Sequence, residues 1–184
     1  RELWSLIALN ATDESRIEFL FESTGASLRA WGVRLMLEDC RLDIANGGRP
    51  SHVGTLPTAE RVKRMVQLAE AEDSAAVRLA LASALQRLPF ESRGALARAL
   101  LSHSEDAEDH NLPLMVWYGL TALGDDHLKE LVALMDVCQW PTTTRLLARR
   151  IAEQSTDHPR LFDQLIATTL RRPKHIQSSV VLGI

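Results

Sequence analysis

Apolar residues recur at three- and four-residue spacing along nearly the whole chain, and short polar or proline-bearing breaks interrupt them roughly every ten to fifteen residues. Ile17, Leu20 and Phe21 share one helical face, and Val62, Met65, Val66 and Leu68-Ala69 form another run at the same spacing. Asp13 or Thr12, Thr58, and Asp73 or Ser74 stand where an N-cap is needed, while Ser23-Thr24-Gly25 and Pro89 close the preceding runs. The spacing predicts helices over 3–9, 14–22, 27–39, 60–72, 75–88, 91–101, 112–123, 126–137, 142–154 and 159–170, with a further start near Ile176. No segment reads as a strand. An all-α chain whose helices bury their faces against one another is the expectation.

The stretch 43–58 departs from the pattern. It carries Asn46-Gly47-Gly48-Arg49-Pro50, Gly54 and Pro57, and it reads as a long loop inserted between helices. Elsewhere the helices repeat. Ala76-Val77-Arg78-Leu79 aligns with Ser27-Leu28-Arg29-Ala30 and with Thr143-Thr144-Arg145-Leu146, and Pro113-Leu114-Met115 stands between them. Apart from a longer first step that contains the Gly/Pro loop, the steps are roughly 30 to 40 residues, which suits two helices per unit, the mark of an α-solenoid. Asp73-Ser74-Ala75-Ala76-Val77-Arg78, a capped turn followed by Val-Arg, resembles the opening of the second helix of a HEAT repeat. The expected fold is therefore a single HEAT-like superhelix of about five helix pairs over residues 1–184. Trp4, Trp31, Trp117 and Trp140 recur on its second-helix layer as packing residues.

Composition narrows the functional classes. A chain of 184 residues with 46% hydrophobic and 24% charged residues suits a folded domain, and a net charge of -3 gives no general attraction to nucleic acid or anionic membranes. Two cysteines, Cys40 and Cys138, are too few for a disulfide framework and are expected as buried thiols within helices. No run approaches the roughly 20 apolar residues that span a bilayer. The opening Arg-Glu-Leu-Trp and the closing Val-Val-Leu-Gly-Ile lie within helical patterns, so the chain reads as a piece of a longer protein with end repeats able to dimerise.

Catalytic and metal signatures do not assemble. The six histidines form neither His-x-x-x-His nor His-Glu-x-x-His, and neither cysteine belongs to Cys-x-x-Cys. No nucleophile elbow and no glycine-rich phosphate loop occurs. No cofactor is expected. The acidic string from His103 to His110 reads as a solvated turn whose carboxylates favour the following helix N-terminus. Asn111 is the expected N-cap there, with Pro113 in the first turn and Asp109 and His110 free to cap or bind. Arg145 and Arg149 share a face and join Arg150, Arg160, Arg171, Arg172 and Lys174 in a basic C-terminal edge, which the balanced total charge disfavours as a nucleic-acid site.

The string Asp106-Ala107-Glu108-Asp109-His110-Asn111-Leu112-Pro113-Leu114-Met115-Val116-Trp117-Tyr118-Gly119-Leu120, followed by Arg145-Leu146-Leu147-Ala148-Arg149-Arg150, is similar to the HEAT-repeat region of the large membrane-bound dehydrogenase-like proteins of planctomycetes and verrucomicrobia. In that family the region sits between a β-propeller and a c-type haem domain marked by Cys-x-x-Cys-His, which this chain lacks. The resemblance implies a non-catalytic scaffold inside an exported redox protein, with neighbouring domains or a partner protein as its contacts. Asp109, His110, Asn111, Pro113, Trp117 and Tyr118 carry over as family-typical positions without a role. Two rivals stand beside it: an accessory domain completing an active site through Asp109-His110 or the 43–58 loop, and a nucleic-acid-binding solenoid using the arginine edge.

Overall fold

The computed structural model describes residues 13–40, 55–122 and 127–184. Ten α-helices lie among them: α1 (Glu14–Phe21), α2 (Ala26–Met36), α3 (Ala59–Ala71), α4 (Ala75–Ala84), α5 (Phe90–Leu101), α6 (Leu112–Thr121), α7 (Leu128–Met135), α8 (Pro141–Ala152), α9 (Pro159–Leu170) and α10 (Lys174–Val181). Short 3-10 turns follow α4 at Leu85–Arg87 and precede α6 at Ser104–Asp106. No strand occurs among the described residues; the one extended feature is an isolated parallel bridge between Cys40 and Thr55. The all-α expectation holds. The helix expected over 3–9 and most of the 43–58 loop lie outside the described residues.

Local chemistry sets the helix starts. Asp13 Oδ1 accepts from Arg16 N at 2.9 Å and Thr58 Oγ1 from Arg61 N at 3.3 Å, as the sequence suggests. Pro113, Pro141 and Pro159 occupy first-turn positions of α6, α8 and α9, where a missing N–H forfeits no helical bond. Ser74 does not cap α4 with its side chain; Glu72 Oε1 accepts from the Ser74 amide at 2.9 Å instead. Helix ends come earlier than periodicity predicts, at Met36 rather than Asp39 and at Ala84 rather than Leu88. The residues beyond tighten into turns and 3-10 geometry, with Leu37 and Glu38 donating three residues back and Leu85–Arg87 following α4.

Packing follows a simple order. Within pairs, α1 meets α2, α3 meets α4, and so on to α9 with α10. Between pairs, α2, α4, α6, α8 and α10 touch in succession, while α3, α5, α7 and α9 do the same on the other side. The result is two helical layers over one core cluster running from Phe21 to Val180. Met65, Leu81, Leu100, Leu120, Leu131 and Leu147 are fully buried within it. Close approach requires glycine at Gly32, where a Cβ would lie 2.7 Å from the Phe21 amide nitrogen and 2.9 Å from its Cα. That contact brings α1 onto α2, and rigid backbone leaves nothing able to yield.

Candidate interaction surface

Three arginines, Arg29 half-buried and Arg78 and Arg93 buried, tie neighbouring elements together. Arg29, in the first turns of α2, sends Nε and Nη2 to the Glu72 carboxylate at 2.7 and 2.6 Å, and Nη1 to the carbonyls of Ser23 and Thr24 at 2.9 and 3.0 Å. Arg78 repeats this one pair later. Its Nε and Nη2 hold Asp106 at 2.5 and 2.6 Å, and its Nη1 donates to the Glu72 carbonyl at 2.7 Å. Hydrogen bonds to Asp106 hold the Arg78 guanidinium above its usual range. Burial pushes Glu72 up, but Arg29 and the Ser74 amide outweigh it and hold the carboxyl below its usual range. Arg93 on α5 donates to the carbonyls of Leu88 and Gly119 at 3.0 and 2.7 Å. Arg29 and Arg78 are bidentate to their carboxylates, and all three guanidiniums satisfy carbonyls at helix ends and turns.

The acidic turn is therefore less solvated than its composition suggests. Asp106 is 3% exposed and belongs to the Arg78 clamp. His103 lies between Ala69 O (2.7 Å from Nε2) and Glu105 Oε1 (3.0 Å from Nδ1), and its carbonyl accepts from the buried Trp140 indole at 2.7 Å. Asn111 holds the N-cap position of α6, as expected, but the side chain that caps is that of Asp109, whose Oδ1 accepts from the amides of Asn111 and Leu112, both at 2.8 Å. Asn111 lies in a helical conformation and contributes its carbonyl, to Met115 N at 2.8 Å. The Leu112 amide first, and the Asn111 amide next, hold the Asp109 carboxyl below its usual range. His110 is exposed, and Pro113 is buried with its carbonyl accepting from Thr143 Oγ1 at 3.1 Å.

The repeat alignment slips by one residue in α8. Arg29 and Arg78 are the fourth helical residues of α2 and α4, but the fourth of α8 is Thr144. Thr144 is buried and donates to Cys138 Sγ at 3.3 Å, so Arg145 turns outward to solvent. Arg149, one turn on, is exposed as well. Neither thiol lies in a helix; Cys40 forms the isolated bridge and Cys138 precedes α8. Both are free and buried, and burial raises both thiols above their usual range. Trp4 lies outside the described residues. Trp31 and Trp117 are half-buried on α2 and α6, whereas Trp140 sits fully buried just ahead of α8.

The even-numbered layer turns one face to solvent. Leu28 on α2 and Leu114 and Tyr118 on α6 are exposed there, and Trp117 lies beside them. A cleft of about 370 Å³ opens where α2 meets α4, lined by Trp31, Arg34, Glu38, Ser83 and Arg87 among others. The Arg34 guanidinium stacks 5.0 Å from the Trp31 ring centre. Among the described residues no group of three or more His, Cys, Asp or Glu could hold a metal ion, and no helix is long and apolar enough to cross a membrane. Comparison with family models, curated proteins and solved structures finds no match.

Proposed function

We propose that this chain is a non-catalytic α-solenoid of HEAT-like helix pairs that serves as a scaffold, holding neighbouring domains or a partner protein on the outer face of its even-numbered helices. The observation that carries this reading is the order of packing. Even helices touch even helices in succession and odd touch odd, with Arg29 and Arg78 making equivalent clamps one pair apart. Such stacking spreads one core along an axis and presents each layer as a continuous surface, the usual basis for recognition by helical repeats. Leu114 and Tyr118 are 39% and 43% exposed on that surface, while the carboxylates of Asp106 and Asp109 nearby are spent on structure. Asp109 caps a helix and Asp106 neutralises an arginine.

The resemblance in residues 106–120 extends the proposal to an exported redox parent. Its complete coding sequence tests that extension: a propeller before this region and Cys-x-x-Cys-His after it are expected, and their absence removes the redox context. The scaffold reading is tested by placing a photo-cross-linking amino acid at Leu114, and at Phe19 on α1 as a control, in the full-length protein in its host. Cross-links from position 114 to a defined protein or domain, exceeding those from position 19, are expected. Equal or no cross-linking from position 114 overturns it.

A further inference from the structure

Excess positive charge is concentrated in one of the two layers in a way composition hides. The five even-numbered helices contain six arginines, one lysine and no aspartate or glutamate. The odd-numbered helices balance seven carboxylates against eight arginines and lysines, so the helical excess of positive charge lies almost wholly in the even layer. Two of the even-layer arginines, Arg29 and Arg78, are neutralised by Glu72 and Asp106. Arg34, Arg145 and Arg149 are exposed and form no ion pair among the described residues. On α3, by contrast, Arg61 and Arg64 pair with Glu14, Asp39, Glu18 and Glu22. The sequence positions of the exposed cations matter. Arg34 stands on α2 and Arg145 and Arg149 on α8, and between them α6 carries no charged residue and exposes Leu114 and Tyr118, with the half-buried Trp117 beside them.

We propose that this face docks an acidic, apolar-centred polypeptide segment, whose central aliphatic or aromatic side chains rest on α6 and whose flanking carboxylates meet Arg34 on one side and Arg145 and Arg149 on the other. This rests on the scaffold reading and names its partner. An apolar centre between cationic flanks selects a segment of the complementary pattern, since a charged group set on Leu114 would lose hydration without gaining a partner. Three helix steps of about 9 Å each separate α2 from α8, so an extended segment needs carboxylates roughly eight residues apart. A nucleic acid fits less well. It carries a phosphate at every step, which an uncharged central helix leaves unpaired.

Fluorescence polarisation with labelled peptides of about 14 residues tests this, using paired glutamates that flank a Leu/Ser centre at the spacing above. Companion probes replace glutamate by glutamine or lysine, and an oligothymidylate of similar length represents nucleic acid. The glutamate peptide is expected to bind at least about tenfold more tightly than the glutamine and lysine peptides. Arg145→Glu with Arg149→Glu is expected to erase that margin while leaving the thermal midpoint unchanged, both side chains being exposed. Tyr118→Ser is expected to weaken the glutamate and glutamine peptides alike. Equal binding of the glutamate and glutamine peptides overturns the proposal, as does tighter binding of the oligothymidylate. Either failure leaves the scaffold reading to the cross-links from position 114, which do not depend on the charge of the partner.

Discussion

The turns that join successive helix pairs are braced by different chemistry in the two halves of the molecule. In the N-terminal half an arginine of the even layer reaches a buried acid in the next turn: Arg29 takes Glu72 and Arg78 takes Asp106. In the C-terminal half the fourth residue of α8 is the neutral Thr144, bonded to Cys138. The bracing cation comes from the opposite side, since Arg172 after α9 donates to the carbonyls of Asp136 and Cys138. No carboxylate is buried there, and Arg172 Nε is buried without a hydrogen-bond partner among the described residues. The same architectural task is thus met once by ion pairs that depend on both members and once by a cation bonded to backbone. The first arrangement is brittle to single changes, and the second should be more forgiving.

The largest effect expected from this contrast is at Arg78. Arg78→Ala strands Asp106 in a site 3% exposed and should cost about 3–5 kcal/mol in urea unfolding. Replacing both partners, Arg78→Met with Asp106→Leu, should recover most of that loss, because the penalty lies in the orphaned charge. A double variant as unstable as the single one would show that the arginine acts mainly through the Glu72 carbonyl.

Next in size is Gly32→Ala, which forces a methyl against the Phe21 backbone and should cost about 1–3 kcal/mol by the same measurement. Arg172→Ala should cost about 1.5 kcal/mol, since it removes charge-assisted bonds to two carbonyls but leaves no buried charge behind. If Arg172→Ala proves as damaging as Arg78→Ala, the two halves are equally brittle and the contrast collapses.

Helical spacing made most of the fold legible, because each helix buries a stripe and the stripe is written in the sequence. Pro159 to Leu170 is found as expected, and α1 and α3 fall within a residue or two of expectation. What spacing could not show was the far end of each arginine. Arg78 and Asp106 lie 28 residues apart, and Glu72 and Arg29 are 43 apart, so no local pattern joins them. A run of acids looks solvated in sequence whether or not one member turns inward. The Arg145 slip has a related cause: similar strings align by letter, whereas helix phase depends on where the first turn begins, and Pro141 starts α8 one residue earlier than the letters imply. Capping by Asp109 was legible in the sequence, since an aspartate three residues before the first helical residue is a common turn former. Among the candidate residues, exposure separated Arg145, Arg149, Tyr118 and His110 from the structural Pro113, and exposure depends on neighbours that a single sequence does not display.

The smallest effect concerns the exposed rim of the acidic turn. Asp109→Ala removes the cap on α6 and should cost about 1 kcal/mol at neutral pH. The sign of its pH dependence follows from the lowered Asp109 carboxyl. A group held below its unfolded value stabilises the fold above that value and loses the contribution as pH falls through the folded one. The difference between wild type and Asp109→Ala should therefore shrink on acidification below roughly pH 4. Glu105, held low first by its own amide and then by His103, and Glu72, held low against its burial, act in the same direction. Glu130 on α7 opposes them. Burial against Gly94 raises its carboxyl, so its contribution is full below the unfolded value and is lost as pH rises through the folded one. Glu130→Gln should accordingly gain stability relative to wild type between mildly acidic and neutral pH, the reverse of Asp109→Ala. Urea titrations across that range distinguish the two, and parallel curves for both variants would mean that neither carboxylate is tuned by the contacts described.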